Sequence, residues 1–253
     1  SGIYFVNQPY HADYFGSFSK EGNINGVLAH YWNGSLMMQA ESNDILAEII
    51  ELFISSVNRP IAQLLGLDDQ VLYVIETLGF SDANFSSNTQ EQLYRINLDD
   101  FNSQHSDIKN YYLVPAAETD ENILSHWLRD YEIQTLNAEN NQSLSEYIKK
   151  RVIQIQSQKF SHVLNINKTP VALCGSNSNL KAVIQIGPVW TPPEHRNNGY
   201  AKLLLTEVLL KARETGVRRA VLFSDNPIAI KVYTAIGFKH FGYYRWTILK
   251  HPL

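Results

Sequence analysis

Eleven residues late in the chain, Thr191-Pro192-Pro193-Glu194-His195-Arg196-Asn197-Asn198-Gly199-Tyr200-Ala201, connect a strand-like run to a long amphipathic one. Their centre has the form Arg196-x-x-Gly199-x-Ala201. Successive main-chain N–H groups in such a turn, with the positive end of the following helix dipole, make a cradle for a diphosphate. Gly199 lacks the Cβ that would hold a phosphate off the backbone, and Arg196 adds a fixed positive charge. A glycine before a helix is also what many strand–helix connections need for geometry alone, so the loop takes its meaning from the elements around it.

Hydrophobic periodicity predicts those elements. Tyr111–Ala116 reads as a strand, followed by a helix capped by Thr119 or Asp120 with Ile123, Leu124, Trp127, Leu128 and Tyr131 at helical spacing. Ser143 and Glu146 have the spacing of a capping box for a second helix that ends near Gln158. Strands at 161–166 and 171–174, separated by Asn167-Lys168-Thr169-Pro170, form a hairpin, and a third strand covers 182–190. The loop then leads into a helix over 199–214, stopped by Gly216 in the left-handed position. A strand at 220–223, a short helix at 226–236 and strands from 238 to 249 complete the order β-α-α-β-β-β-α-β-α-β-β.

The first part of the chain repeats a piece of this order. Gly26–Trp32 and Ser35–Gln39 are joined by Asn33-Gly34, which predicts a hairpin with a type I′ turn. Helix 44–57, strand 60–65, helix 69–78 and strand 92–98 follow, shortening the later β-β-α-β-α-β. Val74-Ile75-Glu76-Thr77-Leu78-Gly79-Phe80 also parallels Val232-Tyr233-Thr234-Ala235-Ile236-Gly237-Phe238 in its spacing and its Gly-Phe close, although a glycine after a helix is common. The polar stretch Asn102–Lys109 separates the two parts, giving expected domains at 1–109 and 110–253.

The loop, its Pro-Glu-x-Arg lead-in at 193–196 and the downstream Asn226-Pro-x-Ala229-x-x-x-Tyr233-x-x-x-Gly237-Phe238 resemble the acetyl-CoA motif and following elements of GNAT N-acetyltransferases. The likeness spans most of residues 110–253. Val189–Arg196, with Leu64-Leu65-Gly66 and Gln70 upstream, is similar to a bacterial group of GNAT proteins that carries an extra N-terminal domain. The resemblance implies an α/β (α+β) GNAT fold: a mixed, mostly antiparallel sheet with a splayed strand pair and flanking helices, preceded by a smaller, degenerate GNAT-like domain.

Carried over by position, the resemblance implies that main-chain groups of Val189 and Thr191 pair with the pantetheine arm of acetyl-CoA, with Trp190 facing the other way. The amides of Arg196, Asn197, Asn198, Gly199, Tyr200 and Ala201 hold the pyrophosphate, and Asn226 contacts the pantetheine end. Ala201 stands where many members have glycine, within the family pattern. Tyr233 is the expected general acid for the departing thiolate, against the plainer role of a partly buried structural tyrosine. The attacking amine must shed a proton, and Glu132 on the first helix of the domain is the candidate base, against the alternative of a solvated helix glutamate. Gln185 takes a place where some relatives keep a glutamate and cannot act as a base. Ile75 stands where Tyr233 does, and nothing like Arg-x-x-Gly-x-Ala precedes its helix, so the first domain is not expected to bind coenzyme A.

Composition agrees. The chain has 253 residues, 44% hydrophobic, which argues for a folded core. Its apolar runs fall short of the roughly 20 residues that cross a bilayer. One cysteine, Cys174, allows neither an internal disulfide nor a cysteine-based metal site and suits a reducing cytoplasm. His195 reads as a loop histidine, and no His and carboxylate spacing suggests a metal. Ser1-Gly2 reads as a remnant of tag removal. Residues 1–109 hold 14 acidic and 4 basic side chains, and residues 110–253 hold 11 and 17. That asymmetry fits an anionic ligand on the second part and a cationic one near the first, or simply two parts that attract each other. No basic cluster interleaved with aromatics speaks for nucleic acid. Two activities fit: direct transfer of acetyl from acetyl-CoA to an amine-bearing small molecule or peptide, or non-catalytic acyl-CoA sensing.

Overall fold

The computed structural model describes residues 11–102 and 106–252. Ser1, Gly2 and part of the Asn102–Lys109 stretch lie outside them. In chain order the elements are β1 (Ala12–Phe18), β2 (Ile24–Tyr31), β3 (Ser35–Ala40), α1 (Asn43–Ser56), β4 (Gln63–Leu67), α2 (Asp68–Thr77), β5 (Phe85–Asn97), β6 (Tyr111–Pro115), α3 (Glu121–Leu136), α4 (Gln142–Ser157), β7 (His162–Ile166), β8 (Thr169–Asn179), β9 (Val183–Trp190), α5 (Tyr200–Glu214), β10 (Arg219–Phe223), α6 (Pro227–Ile236) and β11 (Lys239–Leu249). They form two compact units: the described part of residues 1–92 with that of 242–253, and residues 93–241. The expected join after Lys109 lies inside the second unit.

In the first unit the strands run in the order β1-β2-β3-β4-β11, antiparallel except for the parallel pair β3–β4. Ser42 caps α1 by accepting from the amide of Ile45, and Leu46, Ile49, Ile50 and Phe53 make its buried stripe. A side chain at Gly26 would collide with Ile45 and Ile49, so glycine lets α1 lie close on β2. The β2–β3 turn is not type I′. Among the non-glycine residues Asn33 is not in the left-handed region; the Gly34 amide donates to the Tyr31 carbonyl at 2.9 Å with Gly34 at φ 82°. A three-residue loop ending in a left-handed glycine does the same work as the tighter turn.

The second unit has the order β5-β10-β9-β8-β7-β6, with β9–β10 as its parallel pair. Asp120 caps α3 through the amide of Asn122. The N-terminus of α4 differs from expectation: Asn141 accepts from the Leu144 amide at 2.9 Å, so the helix starts before Ser143 and the Ser143–Glu146 box is not its cap. Asparagine caps as well as serine, and the earlier cap lengthens the helix by two residues. Leu124, Leu128, Ile148, Val152, Leu173 and Trp190 build a core with α3 and α4 on one face of the sheet. Leu204, Leu209, Ile184, Ala220 and Tyr233 build another with α5 and α6. Each fully buried leucine contributes roughly 1.5–3 kcal/mol relative to exposure.

The order β2-β3-α1-β4-α2-β5 matches β8-β9-α5-β10-α6-β11, parallel pair included. Strands β5 and β11 each change unit along their length: residues 93–97 of β5 pair with β10, and residues 244–248 of β11 pair with β4.

Candidate functional site

Strand β9 pairs with β10 only from Val183↔Arg219 to Gln185↔Val221, although β9 runs on to Trp190 and β10 to Phe223. Over that same stretch β9 stays on β8, with Cys174↔Val189 and Leu173↔Trp190, after register shifts around Ser176. The parallel pair therefore splays, leaving a notch on the β10 side of residues 186–190. Peptide groups bordering such a notch suit an added extended ligand, which pairs as another strand would. Val189 packs toward the α5–α6 core and Trp190 is buried in the α3–α4 core, so the two point to opposite faces.

From Thr191 the chain makes one short helical turn, Pro193–His195, and enters the loop. Arg196 has φ −68°, Asn197 φ 63° and Gly199 φ 77°. The Arg196 backbone is extended, with ψ 165°, and the left-handed Asn197 and Gly199 turn the chain into α5, whose first-turn N–H groups suit an anion. The Asn198 side-chain amide donates to the carbonyls of His195 and Arg196 at 3.1 and 3.0 Å, which ties the loop to itself. A Cβ on Gly199 would find nothing nearer than 3.8 Å; what glycine supplies here is the positive φ. Tyr200 and Ala201 form the first turn of α5.

Arg196 is not extended toward solvent as a free charge. Its Nε donates to the Thr191 carbonyl at 3.0 Å, its Nη2 to Gln134 Oε1 at 3.2 Å, and its guanidinium carbon lies 4.8 Å from the Trp190 ring centroid. The side chain ties the loop to the end of β9 and to α3. Trp190 in turn meets Tyr131 edge to face at 6.3 Å. The indole Nε1 of Trp190 and the Oγ1 of Thr191 are buried, and among the described residues they have no hydrogen-bond partner.

Asn226 caps α6: its Oδ1 accepts from the amides of Ile228 and Ala229 at 2.9 and 3.3 Å. Two turns on, Tyr233 is only 8% exposed and meets Phe238 edge to face at 6.0 Å. Burial, then the neighbouring Tyr131 and Cys174, push the Tyr233 phenol above its ordinary value, so it stays protonated. Burial likewise pushes the Cys174 thiol up to about 12, which makes it an inert neighbour.

Glu132 is 7% exposed, unlike a solvated helix glutamate. Burial raises its carboxyl above the usual range; the Arg151 charge and a hydrogen bond from Tyr147 act in the opposite direction and offset it in part. Arg151 is held by Gln154 Oε1 at 2.7 Å and by Asn177 Oδ1 at 2.6 Å. The structure thus brings Thr191, Arg196 and Trp190 into direct contact and puts Tyr131 beside both Trp190 and Tyr233. Glu132 follows Tyr131 in α3 and faces α4. Sequence reasoning missed Gln134, Tyr147 and Arg151, whose only local signal was helical position.

The acetyltransferase (GNAT) family model matches residues 90–238. No curated protein matches the chain. Among solved structures, a GCN5-related N-acetyltransferase from Kribbella flavida is 13% identical over 96% of this chain and 90% of its own, with a TM-score of 0.58. A GNAT-family acetyltransferase from Colwellia psychrerythraea is 13% identical over 94% and 85%, at 0.53. A tandem GNAT protein from the clavulanic acid biosynthesis pathway is 14% identical over 97% and 86%, also at 0.53. At these identities the likeness is one of fold.

Proposed function

From the chain's membership of the acetyltransferase (GNAT) family, whose chemistry is acyl transfer, we propose that its second unit moves the acetyl group of acetyl-CoA directly onto a primary amine. The observation that carries this reading is the departure of β9 from β10 after Gln185↔Val221, immediately ahead of a loop that turns through left-handed Asn197 and Gly199 into the N-terminus of α5. Acetyl-CoA supplies the activated thioester. Main-chain groups of Val189 and Thr191 hold the pantetheine arm, and the amides of Asn197, Asn198, Gly199, Tyr200 and Ala201 take the pyrophosphate together with that of Arg196. Asn226 flanks the pantetheine from the α6 cap. The Arg196 side chain fixes the loop through its bonds to Thr191 and Gln134.

Glu132 accepts the proton that the amine must lose, directly or through water. Its raised pKa brings it nearer to neutral pH, where a base is most effective. The strand amide at Val189 polarises the carbonyl, and Tyr233 donates a proton to the leaving sulfur. Positioning of the two reactants provides much of the acceleration. The test is thiol release from acetyl-CoA with a panel of small amines and peptides. Amine-dependent release supports the reading, and its absence across the panel counts against it.

A second reading, an acyl-CoA-binding module without turnover, is favoured by the depth of Tyr233, a donor largely closed to the surface. Tyr233→Phe separates the two: a fall in turnover with unchanged coenzyme A affinity marks an enzyme.

A further inference from the structure

Arg151 is anchored in a way that keeps it off the carboxyl group it acts on. Its Nη1 donates to Gln154 Oε1 and its Nη2 to Asn177 Oδ1, both neutral acceptors. Its Nε is buried and has no partner among the described residues, where neither Arg151 nor Glu132 forms an ion pair. A buried charged donor left unmet is costly, and neutral acceptors compensate less than a carboxylate would. The fold nevertheless fixes the charge. Asn177 lies where β8 shifts register against β9, and its Nδ2 is 3.0 Å from the place a Cβ on Gly187 would occupy. The anchor of Arg151 is therefore seated against the strand that continues to Val189 and Trp190. Tyr147 and Arg151 stand four residues apart on one face of α4, and they are the groups that act on Glu132 of α3. On α3 itself Arg129 is taken up by Asn140 and Ser145, and β9 meets α3 through the uncharged Trp190.

We infer that Arg151 is a positioning residue for Glu132: anchored by Asn177, it keeps a positive charge near the carboxyl group without pairing with it. A direct ion pair would occupy the oxygens that must take a proton from the amine and would weaken them as a base. Burial with no cation nearby would do the opposite and keep the group protonated. A charge fixed at a distance leaves Glu132 both ionisable and free to accept. The inference rests on Glu132 being the base of the proposed transfer.

The test uses the full chain with isotope-labelled glutamate carboxyls, so that NMR follows the titration of Glu132 itself; Glu132→Gln identifies its resonance. Arg151→Met removes the charge. Asn177→Asp, close to asparagine in size, neutralises the charge while leaving the guanidinium anchored, and it supplies the answer if circular dichroism shows that Arg151→Met does not fold. Both move the Glu132 midpoint up by about one pH unit, the scale of a lost or neutralised charge partner. Arg151→Lys keeps the charge and stays nearer to wild type than either. The acidic limb of the acetyl-transfer rate moves with the midpoint. A midpoint that is the same in wild type, Arg151→Met and Asn177→Asp overturns the inference, and so does an Arg151→Lys shift as large as that of Arg151→Met. The midpoint alone decides whether Arg151 sets the charge of Glu132. A rate limb that fails to follow a moved midpoint overturns Glu132 as the base, and with it the part of Arg151 in catalysis.

Discussion

Arg196 lies over Trp190, and the same guanidinium reaches the Thr191 carbonyl and the side chain of Gln134. One side chain therefore joins the loop, the end of β9 and α3. A cation–π contact of this exposed kind contributes about 0.5–1 kcal/mol. Arg196→Ala is expected to weaken acetyl-CoA binding by roughly two- to fivefold on that figure, read by calorimetry. Arg196→Lys recovers only part of the loss, because an ammonium cannot make the forked contacts.

Gly199 sits at φ 77° with room around its Cα. Gly199→Ala meets no steric contact and feels only the backbone cost of a left-handed L-residue, about 1–2 kcal/mol. The loop then relaxes, and coenzyme A affinity falls by roughly five- to thirtyfold if that whole cost opposes the bound geometry. Thermal unfolding of the free protein shifts by a few degrees at most.

Tyr233→Phe removes a buried proton donor and keeps the ring that packs on Phe238. Turnover drops by about 10²–10⁴-fold, the usual range for a general acid, while titration with coenzyme A gives the wild-type constant. A fall in both quantities together would mark Tyr233 as structural.

Glu132 carries a pH signature. Its folded pKa is raised, chiefly by burial, so the rate rises with pH through a value above the ordinary glutamate range, as the carboxylate base appears. For stability the sign is the reverse of a salt-bridged acid: the contribution is full below the unfolded pKa and is lost as pH rises through the folded one. Glu132→Gln should flatten the acidic limb of the rate profile and make the protein more stable at neutral pH relative to wild type. A variant with an unchanged profile removes Glu132 from the reaction.

Local signals carried the second unit well. Gly199 and Gly216 bracket α5, Asn226 and Gly237 bracket α6, and the alternation through 183–190 marks β9, because caps and strand alternation depend on near neighbours in sequence. Strand β1 escaped notice: Tyr14 and Phe18 stand 67% and 62% exposed while Phe15 packs inward, so its aromatics do not sort to one face. The α4 start was misread because Asn141 and Ser143 are both competent caps and only tertiary packing chooses between them. The exchange of strand halves could not be read at all, since it joins Leu64 to Thr247. The site divides in the same way. The loop is contiguous and legible, whereas the charge and hydrogen bond that act on Glu132 come from Arg151 and Tyr147 of another helix, and the posture of Arg196 depends on Gln134.

The most direct measurement is an amide-resolved NMR titration of the full chain with acetyl-CoA. The account predicts that the largest shift changes fall on the amides from Arg196 to Ala201 and at Val189 and Thr191, saturating together with one dissociation constant. Shift changes confined to other residues, or none at saturating ligand, contradict it.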